Sequence, residues 1–228
     1  MFDSLINSPF FGLALSAGAW WLGVWLQKKT GWTLCNPLVV AAALVILFLV
    51  TFHIPLEAYN EGAGLIKLML GPATAVLALN IYRQRKALQQ YFVPVLVGCL
   101  VGSIASVACV LGLCALFQMD TALTSSLLPK SVTTAIAVGI AESRGGIGGI
   151  TAAAVVFTGV VGAVFAPMFA RIFHVKEPVA EGLAIGACSH ALGTTKALEL
   201  GEVQGAMSSI AICVCGIMTS ILVLFLPV

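Results

Sequence analysis

The chain has 228 residues, 60% of them hydrophobic and 9% charged, and its eleven Lys and Arg against nine Asp and Glu leave a net charge of +2. A soluble domain carries roughly 25% charged residues, so the composition excludes one. The small net charge, with no basic run outside the ends of apolar segments, excludes a nucleic-acid partner. What remains is an all-α integral membrane protein in contact with the lipid bilayer.

Stretches without Asp, Glu, Lys, Arg or His extend from Ser4 to Gln27, Thr30 to Phe52, Ala87 to Met119, Gly145 to Ala170 and Gln204 to Val228. Each reaches the roughly 18 residues of a spanning segment, so five crossings are predicted. The first helix is expected over Phe10 to Gln27 as a retained span, because it lacks a basic start and a small-residue cleavage site. Trp20, Trp21, Trp25 and Trp32 with Lys28 and Lys29 anchor its end at an interface, on the cytoplasmic side by the positive-inside rule. Asn36-Pro37 is a strong helix start, Asn as cap and Pro at the first helical position. The run from there to Thr51 is short for a crossing.

A polar connection holding Glu57, Asn60 and Glu61 leads to a segment from Leu65 to Tyr82 that carries Lys67, an interrupting Gly71-Pro72 and Asn80. It ends in Arg83-Gln84-Arg85-Lys86, the densest basic cluster, again cytoplasmic by charge. From Tyr91 to Phe117 a long span presents Gly98, Gly102 and Ser106, small residues that let a neighbouring helix approach. The seven cysteines lie mostly within apolar runs and lack metal-ligand spacing, so they read as small apolar fillers.

The next segment, Leu127 to Ala137, sets a proline, a lysine and three hydroxyls among apolar residues. A helix beginning at Pro129 inside the membrane exposes unpaired amides and its positive dipole end, adding to Lys130. On such a helix Lys130 and Thr134 share a face, as do Ser131 and Thr134, with Thr133 nearby. The glycine cluster 145–149 lacks a preceding strand, so it is a tight turn, not a dinucleotide fingerprint. Beyond a mixed-charge connector (Arg171, His174, Lys176, Glu177, Glu181), the segment from Gly186 to Ala197 again places a lysine and hydroxyls among small residues. Ser189, Gly193 and Lys196 fall on one stripe, with His190 and Thr194 beside it. Gly193 is the expected break, and Thr194 or Thr195 the expected cap of a new half-helix.

These elements add up to six to eight membrane elements with interrupted or re-entrant helices. An internal echo of Asn36-Pro37 in Leu128-Pro129, and of Gly71-Pro72 in Ser189 to Gly193, divides the single membrane domain of residues 1–228 into two related halves, about 30–118 and 122–228. Interrupted segments at matching places in two halves point to a transporter site. If every element crosses, Arg171 and Lys176 fall outside, against the basic residues that put the earlier ends inside.

The predicted pocket for a small carboxylate bearing a hydroxyl or keto group comprises Asn36, Lys130, Ser131, Thr133, Thr134, Ser189, His190, Gly193, Thr194, Thr195 and Lys196. His190, titrating near neutral pH, carries a coupled proton or bonds a carbonyl of a neighbouring helix. Lys130 and Lys196 face the pocket or snorkel to an interface. No cofactor or metal is expected. No catalytic residue is assigned: there is no G-x-S-x-G elbow, no H-E-x-x-H pair, and neighbouring Lys130 and Ser131 do not face each other as a dyad.

Leu34 to Pro37, Leu70-Gly71-Pro72-Ala73, Pro129-Lys130-Ser131-Val132-Thr133-Thr134, Gly148 to Ile150 and Ser189-His190-Ala191-Leu192-Gly193-Thr194 resemble the LrgB/CidB family over nearly the whole chain. The resemblance implies a multi-pass protein of the bacterial inner membrane, often paired with a holin-like LrgA/CidA partner and described as an antiholin-like regulator of murein hydrolase export and autolysis. It also implies transport, since relatives in plastids carry glycolate and glycerate and some bacterial relatives are associated with pyruvate uptake. The leading expectation is a carrier for glycolate, glycerate, pyruvate or lactate, proton-coupled and dimeric, and not an enzyme. The alternative is the antiholin-like regulator of a holin-type pore.

Overall fold

The computed structural model describes residues 6, 8–31, 37–83 and 85–226, and all regular structure among them is helical. In chain order the helices are α1 (Phe11–Thr30), α2 (Pro37–Thr51), α3 (Leu56–Leu68), α4 (Leu70–Arg83), α5 (Arg85–Gln90), α6 (Phe92–Leu116), α7 (Thr121–Leu127), α8 (Thr134–Ser143), α9 (Gly148–Ile172), α10 (Pro178–Leu200) and α11 (Glu202–Leu224). The chain divides into two compact units, Met1–Ala73 and Thr74–Val228.

In the first unit α1 packs on α2 and α3. It ends where Gly31 turns left-handed (φ 67°) and its N–H closes on the Gln27 carbonyl, with Lys28 and Lys29 at the negative end of the dipole. Close approach needs small residues: a Cβ at Gly23 would lie 2.7 Å from the Pro37 carbonyl oxygen, and Ser16 and Tyr59 join hydroxyls at 2.8 Å. Two expectations are corrected here. Glu57, Asn60 and Glu61 lie within a helix rather than a connection, and the interruption falls at Met69, between α3 and α4. Pro72 therefore stands in the first turn of α4, where a missing amide costs nothing.

Three helices among the described residues are long and apolar enough to cross a membrane: α6, α9 and α11. They correspond to three of the five predicted runs. The apolar run from Thr30 to Phe52 holds a helix of only 15 residues, shorter than a crossing needs, and the tryptophans and terminal lysines of α1 dilute its apolar character. Within the second unit α11 is central, packing Met207, Ile210, Ala211 and Cys215 against Val95 and Cys99 of α6 and Leu183 of α10. The remaining faces of α6 and α9 present Val97, Val101, Phe157 and Phe165 outward, as lipid-facing side chains do, so dispersion and close backbone contact hold the bundle together.

Between these spans lie two elements that enter and turn back. At one end, Leu128 packs with Val107, Val110 and Cys114 near the end of α6 and with Val223 near the end of α11. The chain then descends: Ser131 bonds Ser106 on α6 at 2.6 Å, and Val132 reaches Val155 of α9. α8 starts there and climbs back to Arg144, whose guanidinium donates to the Val223 carbonyl at 2.7 Å and to that of Leu226.

From the opposite end, α10 runs inward beside α6, with Gly98 against Leu183 and Gly102 against Ala187. It breaks at His190 (φ 40°, ψ −138°). A Cβ on Gly193 would lie 3.0 Å from Ile185 Cγ2, although eight residues of continuous helix would separate them by about 12 Å. The chain therefore reverses, Pro178–Ser189 entering and Ala191–Leu200 leaving. This arrangement leaves Arg85 and Lys86, on α5 just before α6, on the same end of the bundle as Arg171 and Lys176.

Arg144 caps the last carbonyls of α11 while its Nε is buried without a partner. Replacement by glutamine is expected to cost about 1–3 kcal/mol and to raise hydrogen exchange at the final turn of α11, read by mass spectrometry, while exchange in α9 stays unchanged.

Candidate functional site

The two turned-back elements meet at one residue of α9. Val155 packs its side chain on Val132 and Ala137 of the first element, and its carbonyl accepts from His190 Nε2 of the second at 2.8 Å. A carbonyl only accepts, so the proton sits on Nε2 and leaves Nδ1 as the ring's other nitrogen. α9 admits the tip of the second element because it carries glycines there. A Cβ at Gly159 would lie 2.8 Å from His190 Nε2, and one at Gly162 would run into the Ser189 hydroxyl.

The first element supplies positive potential. Thr133 caps α8 in extended conformation without using its side chain as a cap, and its hydroxyl is buried with no partner. The first amides of α8 are therefore without a capping side chain, at the positive end of the helix. Half-buried Lys130 stands in the turn before it, Nζ 3.5 Å from Ser131 Oγ. Thr134 is the first helical residue.

The second element contributes Ser189, fully buried and without a partner. His190 follows, and then Thr194, which donates to the His190 carbonyl at 3.0 Å and accepts from Ser208 of α11 at 2.7 Å.

Several expectations are corrected. The helix starts at Thr134, not Pro129, so Lys130 and Thr134 do not share a helical face; Pro129 to Thr133 are spent on the descent. The second break lies at His190 rather than Gly193, whose missing side chain serves close approach to Ser189 and Ile185. Thr194 sits inside the outgoing half instead of capping it. Thr195 is exposed and bonds back to the Ala191 carbonyl at 3.4 Å. Lys196 is paired with Glu199 at 2.7 Å, whereas Lys130 stands in the turn before α8. Asn36 lies outside the described residues.

Three residues that meet the second element were not signalled by the sequence: Gly159 and Gly162, which admit its tip, and Ser208, which bonds Thr194. The spacing of Gly98, Gly102 and Ser106 did signal the close face of α6, and two of these meet the second element while the third meets the first. A cavity of about 660 Å³ lies within the first unit between Trp20, Ala41, Val45 and Tyr59, and no charged residue lines it.

The LrgB-like family model matches residues 16–228. The chain belongs to the LrgB-like family. It is 41% identical over 222 residues to the antiholin-like protein LrgB of Bacillus subtilis (strain 168), covering 97% of this chain and 95% of that protein. The antiholin-like protein LrgB of Bacillus mycoides (strain KBAB4) is also 41% identical over 222 residues, covering 96% of each. No solved structure matches this LrgB-like chain. With its apolar helices, family membership makes it a membrane protein. The names of the relatives agree with the antiholin-like expectation and carry no mention of transport.

Proposed function

We propose that the paired turned-back elements form a seat for one small organic anion, and that the protein carries glycolate-, glycerate-, pyruvate- or lactate-like monocarboxylates across the bacterial inner membrane. The observation that carries this reading is the meeting of both elements on Val155, within the apolar helix α9. It brings together an uncapped helix start, Lys130 and the unpartnered hydroxyls of Thr133 and Ser189, a set that suits a single carboxylate with a neighbouring oxygen function. His190, bonded through Nε2, keeps Nδ1 for a coupled proton. Entry of the two elements from opposite ends supports alternating access.

Because the first element turns back rather than crossing, Arg85, Lys86, Arg171 and Lys176 all face the cytoplasm. The conflict seen in the sequence came from counting that element as a crossing.

The second reading is the antiholin-like regulator of a holin-type pore, working with an LrgA/CidA-like membrane partner or as a dimer. It is favoured by the names of the relatives, and in it the polar residues serve packing. Uptake of labelled glycolate and pyruvate into proteoliposomes separates the two. The carrier reading expects saturable uptake that His190→Ala lowers at least tenfold, and absence of uptake by folded protein would leave the regulatory reading.

A further inference from the structure

A groove of about 250 Å³ runs along α9 and the incoming half of α10, from Phe173, Val175 and Glu181 near the end of α9 to Cys188 and Ser189 beside the break in α10. One wall is a ladder of Phe165, Phe169 and Phe173 on α9, ring centroids 6.3 and 6.4 Å apart. The opposite wall carries Ala184 and Ile185. Its inner end is the buried Ser189 hydroxyl, which has no partner and is turned toward Gly162.

The only charged residue in the lining is Glu181, at the other end, where Gln204 Nε2 donates to it at 3.2 Å. A helix, about 10 Å across with its side chains, is too wide for this space; a single alkyl chain is not. With no cation in the lining, a carboxylate or phosphate buried there would be left unpaired, at high cost. An uncharged hydroxyl or carbonyl would instead complete the hydrogen bonding of Ser189, whose lack of a partner is otherwise expensive.

We propose that this groove is a lateral binding site for an uncharged medium-chain amphiphile, its hydrocarbon chain along the phenylalanine ladder and its single hydroxyl or carbonyl on Ser189. The groove shares the Ser189 hydroxyl with the proposed anion seat, so the two ligands would compete for it, but the site does not depend on that seat having the carrier function.

The test is photolabelling of the full chain in lipid nanodiscs with a medium-chain alcohol that bears a diazirine on its tail, the labelled residues being mapped by mass spectrometry. Saturable labelling confined to 165–173 and 184–188 is expected, displaced by octan-1-ol about fivefold more effectively than by octane. Ser189→Ala is expected to erase that preference while labelling persists. Ala184→Trp or Ala166→Leu, each checked for unchanged thermal stability, is expected to abolish labelling by filling the groove. Labelling spread equally onto Val97 and Val101 of α6, an alcohol preference that survives Ser189→Ala, or stronger displacement by octylamine, which would place the head at Glu181, would each overturn the proposal.

Discussion

Lys130→Met is expected to weaken binding of a small monocarboxylate by about 10- to 100-fold, the worth of one charge-assisted hydrogen bond in a partly dry site. Methionine keeps the length and the apolar stem and removes only the ammonium, so the unliganded protein should be as stable as before or slightly more so, since a half-buried charge is unfavourable without its anion. Lys130→Arg keeps the charge and is expected to lose less. Isothermal titration with glycolate and pyruvate reads the affinity, and thermal unfolding without ligand reads stability. Lys196→Met is the informative contrast. Its ammonium already faces Glu199 in a largely exposed pair, of a kind worth little, so affinity should change less than threefold.

The second large effect is structural and lies on α9. Gly159→Val places a branched side chain where the His190 imidazole sits, and the tip cannot retreat without breaking the bond to the Val155 carbonyl. An expected loss of about 2–4 kcal/mol follows. His190→Gly removes that bond but also removes the strain of a non-glycine residue at positive φ, a strain of about 1–3 kcal/mol. The two changes share one space, so the double variant should be less destabilised than the sum of the singles, with a coupling of about 1–2 kcal/mol. A thermal-unfolding cycle of the four proteins measures it. Additivity within about 0.5 kcal/mol would mean that Gly159 does not seat the tip.

The legibility of this fold in the sequence follows the range of the interactions involved. Pro129, Lys130 and three hydroxyls inside an apolar run identify an interrupted element from local chemistry alone, and the apolar lengths of α6, α9 and α11 identify spans the same way. The residue at which α10 reverses is not local information. Glycine at 193 is the better conformational candidate, yet His190 takes the positive φ because α9, about thirty residues earlier in the chain, offers a carbonyl at Val155 and two glycines that make room. The helix start at Thr134 is hidden for a related reason. Pro129 suits a first helical position, but Leu128 is held at the end of α6 and α11, and the chain then passes through two turns, Lys130 N–H on the Leu127 carbonyl and Val132 N–H on that of Pro129, before extended Thr133 opens α8. The pairing of Lys196 with Glu199 is a neighbour effect that the shared stripe with Ser189 obscured.

Orientation shows how a local rule depends on topology. The basic residues of Arg83 to Lys86 and those of Arg171 and Lys176 disagree only if every polar-bearing segment crosses. Once the Pro129 element is seen to return to the end from which it came, the same charges agree. Family membership enters at a different level: it establishes kinship with antiholin-like proteins, whereas the proposed anion seat rests on one uncapped helix start, a lysine and buried hydroxyls without partners.

The most direct measurement is a carboxylate titration followed through the backbone amide resonances of Thr134, Ala135 and Ile136 in selectively labelled protein. The seat between the two elements requires saturable shifts at these amides with glycolate, their loss in Lys130→Met, and no response to the neutral amide of the same size. Shifts that are absent, or that appear only around Lys196 and Glu199, would contradict it.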